Sequence, residues 1–351
     1  FFVSSNKMKI KNFLRKIFPK KIFILRNQLK YYIFYIYEII VYYKLNLKTF
    51  NKDYRINKIQ LKNIKFISSR VFLNNFSPNS FQEESLKIYK KDNIYYVPTD
   101  AIEIFIKKYL PKIFNKFIIV SGNSDTSVNR KIKNINTLLN NKYLEKMYSQ
   151  NLLINHNKLI NLPIGVDLHS RFSLNRRGPR KILPKRFEKI FIKTIRMKSI
   201  KESKIYCNFH FRLNSSRNKC LKKIPKNLCV FQNKRITQEQ TWKEIKKCKF
   251  VACPDGNGVD THRFWETILL GSIPIILKNN KLISLYKNMP VIIVKDWNKM
   301  DNKFLEKNYN QLKYKKFNFN ILLMKNWINL INQNKVKSNK KILYKSFVNL
   351  I

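Results

Sequence analysis

Short apolar runs alternate with amphipathic stretches along the chain, which predicts strands and helices in turn. The run KFIIVS (residues 116–121) is rich in β-branched residues and precedes GNSD, so it predicts a buried strand that ends in a loop. The next stretch, KIKNINTLLNNKYLEKMYS (residues 131–149), is predicted to be a helix. Two short strands are predicted after it, NLLINH and KLINLPIG (residues 151–156 and 158–165). Strands that alternate with helices are typical of an α/β layer with a parallel sheet.

A second series of such stretches follows RRGPRKILPKRFEK (residues 176–189), whose glycine, prolines and charges predict a linker. The predicted strands are KIYCNFHF, KFVACP, SIPIIL and PVIIVKDW. The predicted helices are TQEQTWKEIKKC, DTHRFWETILLG, KMDNKFLEKNYNQL and the lysine-rich C-terminal tail. Thr237, with Gln240 three residues later, forms a capping box that marks the start of the first of these helices. Two α/β series joined by a linker predict paired doubly wound domains that face a cleft.

These patterns divide the chain into four regions. We predict a basic amphipathic segment at residues 1–48, an N-terminal α/β domain at 49–175, a C-terminal α/β domain at 176–330 and a helical tail at 331–351. The first region contains YYIFYIYEIIVYY, which is shorter than the roughly 20 apolar residues that span a bilayer. No small-residue cleavage site follows it, which argues against a signal peptide. Its basic and large apolar residues predict peripheral contact with an anionic membrane surface, although a helix packed against its own protein is the alternative.

The chain of 351 residues is strongly basic, with a formal net charge of +52. Such a charge attracts phosphates, nucleotides, lipid head groups and nucleic acids. The lysines are spread along the whole chain, however, and Lys, Asn, Ile, Phe and Tyr are enriched together, as AT-rich coding produces without selection for function. No RNP1, zinc-finger or KH signature accompanies the charge, so nucleic-acid binding is kept as an alternative function.

The five cysteines form no CxxC pair, and their odd number and irregular spacing indicate neither a disulfide framework nor a zinc site. Cys207 and His210 have ligand-like spacing, but a single pair of this kind is more typical of core packing. This use of cysteine fits a reducing compartment. We therefore expect a cytoplasmic protein that is peripheral on the inner membrane face.

One stretch, CPDGNGVDTHRFWETILLGSIPII (residues 253–276), differs from the rest of the chain in composition. It contains three of the six glycines, and Asp255, Asp260 and Glu266 lie within twelve positions of one another. The apolar run before the glycines predicts a strand, and the periodicity after them predicts a helix that starts near Asp260. The order strand, glycine loop and helix start can form an anion site.

The glycine loop and the helix start offer several donors to such an anion. Gly256 and Gly258 permit positive φ and let backbone N–H groups approach a ligand closely. The first turn of a helix adds unpaired N–H groups and a partial positive charge. His262 and Arg263 lie in that turn, and an arginine can bind phosphate in a bidentate manner.

Glu266 lies one helical turn after His262 and on the same face. A carboxylate there would repel phosphate but accept hydrogen bonds from sugar hydroxyls, so we expect a nucleotide whose ribose lies beside Glu266. Gly271 is predicted to end the helix as its C′ residue. An ordinary turn of an α/β protein is the alternative, because the loop is neither a G-x-G-x-x-G fingerprint nor a P-loop.

The segment GNGVDTHRFWETILLGSIPII, with PVIIVKDW after it, resembles the donor-site region of exostosin-like glycosyltransferases, which read approximately HGNGxDxHRxWExLxxGxIPI. Three segments match more loosely in the same order: FIIVSGNSD, YSQNLLINHNKLINLPIGVDLHS and IYCNFHFRLNSSRNKC. The resemblance implies a GT-B fold, in which two Rossmann-like domains face a cleft and the C-terminal one holds a nucleotide-sugar. It also implies transfer of a sugar to a glycan or lipid-linked acceptor, without a metal ion or a cofactor.

The resemblance also assigns residues to the nucleotide-sugar donor. The residues expected to contact the diphosphate or the sugar are Gly256, Asn257, Gly258, Asp260, His262 and Arg263. Glu266 would bind the ribose, and Arg217 would neutralise the leaving diphosphate, whose growing negative charge needs donors. Asp255 departs from the family pattern, because relatives often carry a histidine there.

An inverting reaction needs a base that deprotonates the acceptor hydroxyl. The candidates are Asp125 and Asp100, and Asp125 follows a predicted strand end, where ligands gather in α/β sheets. For each, a solvated loop or capping acid is the alternative. His156 and His169 flank a segment that borders the cleft in the relatives, with Asp167 on the acceptor side; packing or surface roles are equally compatible. A non-catalytic scaffold of the same fold is a further alternative function.

Overall fold

Two five-stranded sheets, in which nearly all neighbouring strands are parallel, organise this mixed α/β protein. The computed structural model describes residues 64–68, 86–169, 182, 184–209, 214–332, 342–344 and 347. These residues belong to one compact unit of the chain, which comprises residues 57–178 and 182–351. The predicted segment 1–48, the predicted domain boundary after residue 175, His210 and most of the predicted tail lie outside the described residues. Within the described ranges, no helix has the length and apolar character that crossing a bilayer requires.

The first sheet forms from the N-terminal series of strands. In their spatial order, these strands are β1 (Tyr89–Lys91), β2 (Ile94–Pro98), β3 (Phe117–Gly122), β4 (Leu144–Ser149) and β5 (Leu159–Asn161). Strand β1 runs antiparallel to β2, and the other neighbours are parallel. The connections contain α1 (Ile102–Ile104), which continues as a π-helical turn at Phe105–Tyr109, and α2 (Ile135–Leu139).

Strand β3 confirms the strand predicted from KFIIVS and is buried along its whole length. Ile118 and Val120 join the larger hydrophobic core, whereas Phe117 and Ile119 join a second core on the opposite face of the sheet. A parallel strand that is covered on both faces needs such a continuous apolar run. Strand β5 confirms the strand predicted from KLINLPIG.

The second sheet is parallel throughout. In chain order, its strands are β6 (Glu202–Cys207), β7 (Cys229–Phe231), β8 (Cys248–Ala252), β9 (Ile273–Leu277) and β10 (Ile292–Val294). Their spatial order is β10-β9-β8-β6-β7, which is the 2-1-3-4-5 order of a doubly wound sheet read from the other edge. The strand order reverses between β6 and β8, so the carboxyl ends of these two strands form a topological switch point.

The remaining helices follow along the chain, most of them between the strands of the second sheet or after its last strand, and the last one contacts Tyr148 of β4 through Trp327 and Leu330. The helices are α3 (Pro184–Arg196), α4 (Ser215–Lys223), α5 (Gln238–Lys247), α6 (His262–Leu269), α7 (Ile283–Tyr286), α8 (Asn302–Lys313) and α9 (Met324–Ile331). Helix α5 begins at the predicted capping box, in which Thr237 and Gln240 satisfy each other's backbone N–H groups. Helix α6 ends as predicted, because Gly271 follows it with a φ of +73°. Strands β11 (Lys316–Phe317) and β12 (Ile342–Leu343) form a small antiparallel sheet.

Two predictions of local structure in the first series are wrong. Residues 131–149 do not form one helix, because α2 covers only five residues and the last part is strand β4. Strand β4 pairs with both β3 and β5, so burial of its apolar side chains within the sheet outweighs their helix propensity. NLLINH forms no strand and contributes only an isolated bridge between Leu152 and Val128.

Two predictions in the second series also need correction. Helix α3 begins at Pro184, inside the predicted linker, because Phe187 and Phe191 are one turn apart and both pack against Trp242. Residues 342–343 of the tail form strand β12 where a helix was expected, and they pair with β11. All five cysteines are free thiols, as their spacing predicted.

Candidate functional site

The glycine loop lies at the switch point of the second sheet. Strand β8 ends at Ala252 and leads into the loop, and helix α6 then begins at His262. Strand β6 ends beside it at Cys207, and Asn208 and Phe209 follow. Loops that meet at the carboxyl ends of such strands form the usual ligand crevice of doubly wound sheets.

The two glycines of the loop serve close packing and not a special backbone conformation. Neither Gly256 nor Gly258 is among the residues with positive φ, so that part of the expectation is wrong. A Cβ at Gly258 would lie 2.9 Å from Nδ2 of Asn151, which is closer than real Cβ atoms approach. Gly258 is therefore required by the contact with Asn151, which belongs to the loop after β4. The Gly256 N–H donates to the Gly258 carbonyl at 3.1 Å and closes the turn.

Several backbone donors of the loop are available to a ligand. Within the described residues, the N–H groups of Asn257, Gly258 and Val259 make no hydrogen bond to the protein. Helix α6 has no side-chain cap from Thr261. These donors are the kind that bind anions at a helix start.

Arg263 lies in the first turn of α6, and its guanidinium contacts the residues that follow β6. Its guanidinium lies 5.8 Å from the ring centroid of Phe209, and Nη2 makes a long contact of 3.4 Å with the Asn208 carbonyl. Nη1 is buried and has no hydrogen-bond partner. Among the described residues, no carboxylate forms a salt bridge with Arg263. Buried polar groups are normally satisfied, so this nitrogen is a candidate ligand contact.

Arg217 lies on α4 and reaches the loop from the other side. A Cβ at Gly256 would lie 3.5 Å from Nη2 of Arg217. Asn214 fixes this arrangement, because its side-chain oxygen accepts the Arg217 N–H at 2.8 Å and caps α4. The Nδ2 of Asn214 donates to the Gly256 carbonyl at 2.7 Å and to the Asp255 carbonyl at 3.3 Å. Arg217, which the resemblance assigned to the leaving diphosphate, therefore lies beside the loop, and that role stays a prediction.

Asp260 is 3% exposed and is fully engaged within the protein. Its Oδ1 accepts the Trp265 Nε1–H at 2.8 Å and the Tyr286 hydroxyl at 2.7 Å, and Oδ2 accepts the Ile164 N–H at 2.7 Å. Its own N–H donates to Asn151 Oδ1 at 2.8 Å. Burial raises the pKa of Asp260 to about 6, although the hydrogen bonds oppose this shift. Asp260 therefore joins the loop to the first sheet, and direct contact with a donor is not supported by its geometry.

Glu266 is also 3% exposed and lies beside the segment that follows β5. Its Oε1 accepts the Asp167 N–H at 3.1 Å and a Gln238 side-chain N–H at 3.0 Å. One turn earlier, Nδ1 of His262 contacts the Gly165 carbonyl at 2.7 Å. Both side chains connect α6 to the same short segment, and the expected ribose contact of Glu266 stays a prediction.

The two candidate bases lie together across the loop. Asp125 follows β3, is exposed and accepts a hydrogen bond from Nδ2 of Asn257 at 3.1 Å. Asp100 follows β2 and accepts a hydrogen bond from the Thr126 hydroxyl. Since Thr126 is the next residue after Asp125, the structure brings both carboxylates to the carboxyl edge of the first sheet, and Asp125 contacts the glycine loop through Asn257.

Two asparagines at this site were not singled out by the sequence. Asn151 has a φ of +48°, and its side chain contacts Gly258, Asp260 and the Ser124 carbonyl. Asn214 anchors the loop to α4. The available signals were an asparagine directly after a strand and an asparagine before a Ser-Ser helix start, both of which favour local hydrogen bonding.

Asp255 is engaged within the protein. Its Oδ1 accepts the Asn280 Nδ2–H at 2.8 Å, and burial raises its pKa. A groove of about 580 Å³ is lined by Asn129, Arg130, Lys131, Leu153, Ile154, Asn155 and Lys281. None of the predicted site residues lines this groove.

No protein-family model matches this chain, and a comparison with curated proteins gives no significant match. The likeness to exostosin-like glycosyltransferases therefore rests on the motifs alone. The fold and the site define an α/β protein with two parallel-rich sheets and a glycine-containing loop at the switch point of one of them.

Proposed function

We propose that the protein is a glycosyltransferase that moves a sugar from a nucleotide-sugar donor to a glycan or lipid-linked acceptor. In this proposal, the two sheets are the cores of the two Rossmann-like domains of a GT-B enzyme. The doubly wound order of the second sheet supports a nucleotide site at its switch point. The motif from Gly256 to Glu266 supports the sugar-nucleotide class of ligand.

The observation that carries the proposal is the guanidinium of Arg263. One of its nitrogens is buried without an acceptor, and no carboxylate neutralises the cation within the described residues. A desolvated cation in this state is costly. A bound diphosphate would supply both the missing acceptors and the opposite charge.

The chemistry requires stabilisation of the leaving nucleoside diphosphate. Arg263, Arg217 and the loop amides would donate to the negative charge that grows as the glycosidic bond breaks. Asp125 or Asp100 would take the proton of the acceptor hydroxyl in an inverting reaction. This mechanism needs no metal ion and no cofactor.

Glu266 and Asp260 would act differently from the other donor-site residues. Both carboxylates accept hydrogen bonds from the backbone of residues 164–167 and so hold this segment against α6. A lipid-linked acceptor would agree with a peripheral position on the inner membrane face, for which the basic segment 1–48 is the candidate.

Thermal unfolding with added nucleotides tests the proposal directly. We expect one nucleoside diphosphate, or its sugar ester, to raise the midpoint of the wild-type protein, since a ligand at 100 times its Kd stabilises by about 2.7 kcal/mol. Arg263→Met and Arg217→Met should abolish this shift. Arg196→Met is the matched control, because Arg196 is exposed in the last turn of α3, near the opposite edge of the second sheet.

The outcomes distinguish the alternatives. Equal stabilisation of all three variants would mean that nucleotides bind to surface lysines, and the proposal would fail. Tight RNA binding with a steep salt dependence would support the nucleic-acid alternative. Nucleotide binding without turnover of any nucleotide-sugar would support the scaffold alternative.

A further inference from the structure

A carboxylate and two imidazoles converge where the segment after β5 meets the start of α6. Asp167, His169 and His262 each offer one ligand atom, and these atoms all lie within 4.8 Å of one another. We propose that the three side chains bind one divalent metal ion of the zinc class. The proposal goes beyond the glycosyl transfer suggested above, which requires no metal.

The distances agree with a shared ion. An ion bound at about 2.1 Å in tetrahedral geometry places neighbouring ligand atoms roughly 3.4 Å apart. The Asp167 Oδ1 and His169 Nδ1 atoms are 3.3 Å apart. The ring centroids of His169 and His262 are 5.4 Å apart, close to the roughly 5 Å expected for two imidazoles on one such ion.

The surrounding protein orients two of the ligands. A carbonyl oxygen only accepts, so the 2.7 Å contact of His262 Nδ1 with the Gly165 carbonyl places a proton on Nδ1 and leaves Nε2 as the ligating atom. Only glycine fits at position 165, because its φ is +70° and a Cβ would lie 1.9 Å from the Ile67 carbonyl oxygen. Such hydrogen bonds to the outer nitrogen are typical of metal-binding histidines.

Asp167 is positioned from its backbone. It is fully buried, and its N–H donates to Glu266 Oε1 at 3.1 Å. The hydrogen bond to Glu266 therefore fixes the backbone of Asp167 against α6, the helix that also carries His262 one turn earlier. This hydrogen bond couples the segment that carries Asp167 and His169 to the helix that carries His262.

The ligand set selects the class of ion. Imidazole nitrogens suit zinc, cobalt, nickel and iron(II), whereas magnesium and calcium prefer ligand sets made of oxygens. Three protein ligands are the number found in catalytic zinc sites, in which a water or a substrate completes the coordination. The ion would join residues that follow β5 of the first sheet to the helix that follows β8 of the second.

Cobalt binding to the full chain tests the proposal. The protein is first stripped with a chelator and then titrated with Co²⁺, whose visible absorption reports the ligands; Zn²⁺ should displace it. We expect one equivalent of Co²⁺ in the wild-type protein. His169→Ala and His262→Gln should each weaken binding by at least about 100-fold, because loss of an outer-shell partner alone costs 10- to 100-fold.

His156→Ala is the matched control, because His156 lies in another loop and its Nδ1 accepts the Lys158 N–H. This variant should bind cobalt like the wild type. Circular dichroism of each variant separates loss of a ligand from loss of the fold. The proposal is overturned if folded His169→Ala and His262→Gln retain the wild-type affinity, or if His156→Ala loses cobalt equally. The experiment contains no nucleotide, so its failure leaves the glycosyltransferase proposal untouched, and the reverse also holds.

Discussion

The buried carboxylate of Asp260 should make stability depend on pH in a defined direction. Its pKa rises from an ordinary 3.8 to about 6, because burial disfavours the charged form. The folded protein therefore holds a proton at pH values where the unfolded chain has released it. The contribution of Asp260 to the free energy of unfolding is present below pH 4 and is lost as the pH rises through 6. This rise in the pKa, of roughly two units, changes the free energy of unfolding by about 3 kcal/mol in total.

Asp260→Asn isolates this effect. The amide removes the titration. It also replaces one carboxylate oxygen, which accepts hydrogen bonds, by an NH2 group, which donates them, and this group then faces a donor such as the Ile164 N–H. An unsatisfied buried donor costs about 1–3 kcal/mol at every pH. The variant should therefore be clearly less stable than the wild type at pH 4, and the gap should shrink by about 2 kcal/mol between pH 4 and pH 7, because part of the full effect falls below pH 4.

Urea denaturation followed by circular dichroism, at half-unit steps from pH 4 to pH 7.5, measures this gap. The difference between the two proteins cancels the titration of all other groups that the substitution leaves alone. A gap that is constant over this range, or that widens with rising pH, would refute the reasoning. It would mean that Asp260 is solvated or paired with a cation in solution.

Three further results are expected. Gly258→Ala should destabilise the protein by about 1–3 kcal/mol because its methyl group meets Asn151, whereas Gly256→Ala should cost less, and thermal unfolding of both variants tests this contrast. Lys201→Met should lose stability relative to the wild type as the pH rises from 7 towards 10. Burial lowers the pKa of Lys201 to about 7, so the folded wild type releases this proton at a lower pH than the unfolded chain, and its free energy of unfolding rises over this range. Denaturation at several pH values tests this expectation, and the opposite trend would contradict it. Thr237→Ala should cost about 1 kcal/mol through loss of the capping box, and an unchanged midpoint would contradict that role.

The parts of the fold that the sequence predicted are those with local signals. Strand β3 is a continuous apolar run, α5 starts at a capping box, and α6 ends at a glycine in the left-handed region. Strand β4 was missed because its residues are good helix formers individually. Only its two neighbours in the sheet, which are distant in sequence, make it a strand.

The candidate site shows the same division. Arg217 was assigned from the family resemblance and Arg263 from its place in the first turn of the helix; Arg217 lies beside Gly256, whereas Arg263 contacts Asn208 and Phe209, which follow β6. The reason for Gly258 was different from the one expected, because Asn151 packs against it from more than a hundred positions away. No spacing rule within one segment reports such a contact, so the buried state of Asp260 and Glu266 could not be anticipated.

Asn214 gives the glycine loop a mechanical link to α4. Its side-chain oxygen caps the start of the helix, while its amide nitrogen donates to two carbonyls of the loop. A ligand that orders the loop should therefore also reduce local opening of the first turn of α4. The rate of amide hydrogen exchange at residues 215–218 would then report whether a ligand is bound at the loop.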